Sequence, residues 1–368
     1  MAASMSAALA ACSEDDPDVI DVEQLEDRDP MDMEPLAITG VRQPGSPDQP
    51  IAVTVLGRRI HGVGEQPPDG VRTVDLDGGW IVPGFVDSHV HMQFSTPAEV
   101  LAGGVTTVRD LGGPPTAAQS LIGTTPLKVL IAGRILTPIG GYPSRSWGDD
   151  GTAREVASAE DAVSAVREQT GSGATVIKVA LEDSEGRPLF DLETLQAIVA
   201  TARESGLRTT AHCGSAAALE RAIEGGVREL CHLPLHDVTP TEMQAAAAAA
   251  MVLVPTLEIR GDDPSALEAL SAFREAGGEV LYGSDLGNGG TAPGIEVTEV
   301  RAMLAAGMTP EEVLRSATSD AAAYLSLDTG VIAEGLLADL VVLGGNPFED
   351  PSRYDDVRLV LASGEIVG

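Results

Sequence analysis

Ile81-Val82-Pro83-Gly84-Phe85-Val86-Asp87-Ser88-His89-Val90-His91 is an apolar run of strand character that ends in two histidines. Side chains alternate faces along a strand, so His89 and His91 share one side while Val90 takes the other. Two imidazoles on one face at a strand end can hold a metal ion between them. A lone His-x-His pair is more often a hydrogen-bonded couple. Here the chain has only six histidines, and two of the others, His212 and His232, also close short strand-like segments.

From Ile81 onward strands alternate with helix-like segments, the texture of parallel β/α units. Eight strand candidates follow: Ile81–Val86, Val105–Val108, Leu127–Ala132, Thr175–Ala180, Arg208–Ala211, Glu229–His232, Met251–Thr256 and Glu279–Gly283. Helices are expected over Pro97–Ala102, Ala153–Glu168, Leu192–Glu204, Ala216–Glu224, Pro240–Ala250, Pro264–Glu275 and Gly294–Ala306. Thr309-Pro310-Glu311-Glu312 has the form of a capping box with proline at the first helical position. Eight such units suit an α/β fold, a (β/α)8 TIM barrel over residues 81–329. Short β-prone runs broken by Gly/Pro/Asp turns precede it, and similar runs return at Leu340–Leu343, Val357–Leu361 and Glu365–Val367. Both chain ends, 36–80 and 330–368, are therefore expected to build one small β-sandwich beside the barrel. Residues 1–35 are acidic, poor in large apolar groups, and read as a disordered tail.

The formal net charge of −33 argues against nucleic acid or an anionic membrane as partner, since both are polyanions. Three cysteines, Cys12, Cys213 and Cys231, are too few for a disulfide framework, so a reducing, cytoplasmic setting is expected. Leu9-Ala10-Ala11-Cys12 resembles a lipoprotein processing site, but no basic residue precedes it. The expected partner is a small-molecule substrate, with no nucleic acid and no membrane; a homo-oligomer is left open.

Residues at the C-terminal ends of barrel strands converge on one mouth. Those ends carry His89 and His91, then Lys178, His212, His232 and, in Tyr282-Gly283-Ser284-Asp285, Asp285. So many titratable groups do not gather in one place as packing alone. Lys178 is the most informative of them. Only two of the 23 basic residues are lysines, and an unpaired ammonium inside Thr175–Ala180 would be costly. A neutral amine can take up CO2 as a carbamate, whose two oxygens can bridge two metal ions; the alternative is an ion pair with Asp285 or Glu182. Cys213 follows His212 and Cys231 precedes His232, so both thiols are expected to point away from the mouth, into the layer between strands and helices. His61 has no evident partner.

Pro83-Gly84-Phe85-Val86-Asp87-Ser88-His89-Val90-His91, followed by Lys178, His212, His232 and Asp285 in that order, resembles the amidohydrolase superfamily. Gly103–Asp110, Ala306–Glu312 and Leu337–Leu343 extend the likeness, closest in style to the prolidase and imidazolonepropionase-like branch. The resemblance implies a metal-dependent hydrolase of the binuclear, carboxylated-lysine subtype on a barrel with a flanking β-sandwich. It implies that His89, His91 and Asp285 hold the more buried ion and His212 and His232 the more exposed one. Lys178, carbamylated by CO2, would bridge two divalent ions. Zinc is favoured by the imidazole-rich shell, with Mn, Fe or Co compatible. A hydroxide between the ions would attack an amide, peptide-like or cyclic amide carbonyl, with Asp285 as catalytic proton carrier. The alternatives in the same superfamily are a mononuclear deaminase or ring hydrolase, and a lactone or ester hydrolase.

Substrate contacts are expected from loops after the strands. Tyr142 and Arg145, in the longest of these loops, and His236, four residues past His232, are the candidates, because arginine grips carboxylates bidentately. That loop lacks the glycine- and histidine-rich run of prolidases, and Leu181-Glu182-Asp183-Ser184-Glu185 is unusually acidic. Both features argue against dipeptides as substrates.

Overall fold

The computed structural model describes residues 33–367, apart from residues 65, 115, 116, 118, 119, 124, 125, 262 and 289. Most of the expected tail, with Cys12, lies outside the described residues. Among the described residues no helix is long and apolar enough to cross a membrane.

One eight-stranded sheet draws on both ends of the chain. Its order is Glu365–Ile366, Val357–Ala362, Leu340–Leu343, Trp80–Pro83, Leu36–Gln43, Ser46–Leu56 and Arg59–Val63, with Arg72–Asp75 pairing alongside Leu36–Gln43. The ends are joined where Val341 opposes Val82 and Val342 opposes Ile81 in antiparallel register. The period of two decides what each strand face buries. Leu340, Val342 and Ile81 belong to the apolar cluster of this sheet, whereas Val341, Leu343 and Val82 face the larger core of the rest of the molecule.

The rest is α/β with parallel strands. Phe85–Val90, Val105–Asp110 and Lys128–Ile131 form one parallel set. Ala153–Val156, Ile135–Pro138, Val176–Leu181, Arg208–Cys213, Glu229–Leu230, Val252–Leu253 and Glu279–Val280 form another, in that order. Between the sets, the Thr175 amide donates to the Ile131 carbonyl at 2.8 Å. On the other side, the Ser88 amide donates to the Tyr282 carbonyl at 3.0 Å and the Asp285 amide to the His89 carbonyl at 2.8 Å. Helices start where the sequence supplies caps. Thr96 with Glu99, Thr239 with Glu242 and Thr309 with Glu312 all make capping boxes, each with proline in the first turn.

Three expected elements are corrected. The run Ile81–Val86 is two strands: Trp80–Pro83 belongs to the mixed-end sheet and Phe85–Val90 starts the parallel set. Gly84 is the joint. Its amide donates to the Asp339 carbonyl, and a Cβ there would collide with the Thr106 side chain. The segment expected as one helix over Ala153–Glu168 opens with a strand, Ala153–Val156, and the helix runs Ala159–Gly171. Parallel pairing with Ile135–Pro138 overrides local helical propensity there. The last expected helix begins at Val297 rather than Gly294. Gly294 has φ of +98° and packs against the Gly103 backbone, where no helical residue fits.

Candidate metal centre

The two sides of the parallel body meet at the strand ends carrying the histidines. His89 is 1% exposed, and its Nδ1 lies 2.6 Å from the Cys231 carbonyl oxygen. His91 Nδ1 lies 2.6 Å from the Gly112 carbonyl oxygen. A carbonyl can only accept, so each ring carries its proton on Nδ1 and turns an Nε2 lone pair the other way. Both lone pairs face Asp285 Oδ1, at 3.2 Å from His89 and 3.4 Å from His91. Asp285 has φ of +54°, and its backbone N–H donates a hydrogen bond to the His89 carbonyl, so a strained local backbone fixes the carboxylate direction.

Behind this group, Asp87 Oδ1 accepts the His89 and Ser284 amides and its Oδ2 accepts the Ser284 hydroxyl. Burial pushes the Asp87 carboxyl up to about 7 despite those bonds. Asp110 accepts the Met92 and Gly112 amides and thereby places the carbonyl that orients His91. Burial drives the His89 pKa well down, so that ring is neutral. For His91, burial lowers the pKa, but the neighbouring Asp285 and Asp110 carboxylates together outweigh it and raise it. Neighbouring imidazoles hold Asp285 anionic against the effect of its own burial.

The other histidines are arranged differently. His212 Nε2 lies 3.1 Å from Glu182 Oε2, and its Nδ1 faces His232 Nε2 at 2.6 Å. His232 Nδ1 lies 2.8 Å from the Leu233 carbonyl oxygen. Burial depresses His212 to about 3 and His232 to about 4, leaving both rings neutral. Lys178 is 3% exposed and shares an inward face with Ala180 of the cavity wall. Its ammonium donates to Cys231 Sγ at 2.7 Å. Among the described residues no ion pair links it to Asp285 or Glu182. The expectation for Cys231 is therefore corrected. Regular strand geometry ends at Leu230, and the inward positions are Glu229, bonded to Arg109, and Cys231, bonded to Lys178. Cys213 does lie in the outer core.

His89, His91, Lys178, His212, His232 and Asp285 all line one cavity of about 330 Å³. Tyr142 lines it too, its ring stacked on His212 at 4.6 Å between centroids. The Tyr142 hydroxyl accepts from Trp147 Nε1 at 2.7 Å. Arg145 and His236 do not line this cavity. Arg145 is exposed beside Gly140, and His236 borders a separate hollow with Arg260. His61 is exposed on the outer sheet. The sequence reading missed Asp87, Asp110 and the aromatic and aliphatic wall of Phe94, Ile135, Trp147, Leu235 and Ile259. Asp87 and Asp110 stand inside motifs already singled out; the wall residues carry no signal of their own.

A metal ion is tested by the donors themselves. His89 Nε2 and Asp285 Oδ1 are buried with no hydrogen-bond partner, and His89, His91 and Asp285 offer ligand atoms within 4.8 Å of one another. Buried polar atoms without partners are costly, and a divalent ion at their common focus satisfies all of them. The residues fit.

The sequence matches the amidohydrolase family over residues 80–367. It is 29% identical to an uncharacterized protein of Mycobacterium tuberculosis, covering 89% of this chain and 95% of that one. Ochratoxinase of Aspergillus niger is 27% identical over 55% of this chain and 47% of its own length. Among solved structures, a prolidase complexed with N-methylphosphonate-L-proline superposes with a TM-score of 0.74 at 26% identity, over 90% of this chain and 99% of that one.

Proposed function

We propose, from the premise that this chain belongs to the amidohydrolase family and is a hydrolytic enzyme acting on carbon–nitrogen bonds, that it cleaves amide bonds of small molecules with two divalent metal ions. The observation that carries the reading is the buried, partnerless pair of His89 Nε2 and Asp285 Oδ1 with His91 beside them. His89, His91 and Asp285 would hold one ion, His212 and His232 the other, with carbamylated Lys178 between them. Zinc suits the imidazole-rich shell best. Such ions supply Lewis acidity and make water acidic enough to attack at neutral pH.

The side chains do the rest. Asp285, anionic and fixed at the cavity floor, takes a proton from the attacking water and gives it to the departing nitrogen. Tyr142 accepts from Trp147 Nε1 and so keeps its own O–H for a substrate oxygen. Cys231 and Gly112 carbonyls hold the two imidazoles in the required tautomer. The architecture we infer is a closed (β/α)8 barrel with a β-domain made from both chain ends, its boundary at Gly84. The bonds from Ser88 to Tyr282 and from Asp285 to His89 support closure.

One observation favours a mononuclear reading: among the described residues only His89, His91 and Asp285 converge as a ligand group, whereas His212 and His232 bond each other. Purified protein should hydrolyse members of a panel of N-acyl amines and anilides, and lose that activity on chelation. Hydrolysis that survives complete metal removal would contradict the proposal.

A further inference from the structure

Beyond the metal-centre residues, the cavity is lined by Phe94, Ile135, Tyr142, Trp147, Leu235 and Ile259, together with Ala180, Gly287 and Asn288. Among the described residues that wall holds no charged side chain. Trp147 Nε1 donates to the Tyr142 hydroxyl, so the polar groups this wall offers are the Tyr142 O–H and the Asn288 side chain. Phe94 is 58% exposed, so the apolar character extends to the rim.

Among the described residues no arginine of the surrounding loops lines this wall, and Arg260 and Arg187 are bonded elsewhere. Arg260, next to Ile259 in sequence, donates to the Pro234 carbonyl and to Asp263. Arg187 donates to Ser184 and Glu185. Arg145 lies against Gly140 and helps hold the Glu155 carboxyl below its usual range. A carboxylate placed on this wall, away from the metal-centre residues, would be desolvated with no counter-charge from the wall itself, which is costly. The net charge of −33 also disfavours the approach of anions.

Resting on the hydrolase reading above, we propose that the substrate is an uncharged aryl or aliphatic amide, with no free carboxylate where it meets the wall. Water supplies a hydroxyl to the acyl carbon and a proton to the leaving nitrogen as the C–N bond breaks. Recognition comes from burying apolar and aromatic surface, at roughly 25 cal/mol per Å², and from the Tyr142 and Asn288 polar groups. A terminal carboxylate, the feature an arginine would grip, is selected against.

The test uses metal-loaded protein with a matched pair, N-benzoylglycine and its N-methylamide, following benzoate release by chromatography. The methylamide should have the higher kcat/KM by about tenfold or more, equivalent to about 1.4 kcal/mol. Ile259→Arg, which adds a guanidinium to the wall, should narrow that ratio. Equal or better use of N-benzoylglycine by the wild type, or an unchanged ratio in the folded variant, overturns the proposal. If neither compound is hydrolysed, calorimetric titration of both separates the two readings. Tighter binding of the methylamide keeps the neutral-substrate inference while the hydrolase reading fails. Equal or weaker binding of the methylamide, or no binding of either compound, overturns the inference itself.

Discussion

The two halves of the proposed metal centre are built on different principles. His89 and His91 are each locked from behind by a carbonyl on another part of the chain, and both aim at a carboxylate that is itself backbone-strained into place. His212 and His232 instead satisfy each other, and Lys178 satisfies itself on Cys231. The first half is positioned by groups outside it; the second is bonded within itself and to Cys231. Preorganisation of this kind sets affinity, because a rigid ligand set loses no internal bonds when it binds. The first half should bind its ion more tightly, and the second should fill only when the His212–His232 and Lys178–Cys231 contacts are given up.

The largest effect is expected at Asp285. Asp285→Asn keeps the shape, and asparagine tolerates positive φ, but turnover should fall by at least ~10² if this carboxylate carries the proton. Near wild-type turnover would make Asp285 a ligand only. Next comes Lys178→Ala, which should empty the second half, His212 and His232, while leaving His89, His91 and Asp285 loaded. Activity should fall with the second ion, and added acetate should restore part of both. Loss of both ions at once would erase the distinction between the halves.

A smaller effect tests what makes the first half rigid. Arg109 and Glu229 form a buried bidentate pair, and Arg109 Nε also donates to the Ser88 carbonyl, next to His89. Breaking it with Glu229→Gln should cost about 3 kcal/mol in chemical denaturation, since a buried guanidinium loses its counter-ion. Unchanged stability would show that the strand ends hold without it.

The last effect lies outside both halves. Glu299 is fully buried and raised by that burial from 4.5 to about 8, while its Oε2 accepts the Glu258 amide. The folded state therefore binds an extra proton between those values, and stability should fall as pH rises from about 4.5 to about 8. Glu299→Gln keeps the acceptor without the titration, so its stability should depend less on pH across that window. Parallel pH profiles for the two proteins would contradict the assignment.

Much of the centre could be read from the chain because alternation in strands needs only local rules. His89 and Lys178 sit on strands, His91 stands one residue past the end of its strand, and all three line the cavity as that alternation predicts. It fails at Cys231, where the strand stops after Leu230. It also fails at Ala153–Val156, where pairing with a distant strand decides the conformation. Arg145 and His236 were chosen by residue type, yet where a loop side chain points depends on packing that spacing does not encode. The apolar wall was invisible for the same reason: Ile135, Leu235 and Ile259 look like any core residue until the fold turns them to one space.

Metal stoichiometry in the wild type and in Lys178→Arg, by elemental analysis of protein purified with divalent ions and bicarbonate, tests the binuclear account most directly. The account predicts close to two ions per chain in the wild type and close to one in the variant, because a guanidinium stays charged and forms no carbamate. One ion in the wild type, or two retained in Lys178→Arg, would contradict it.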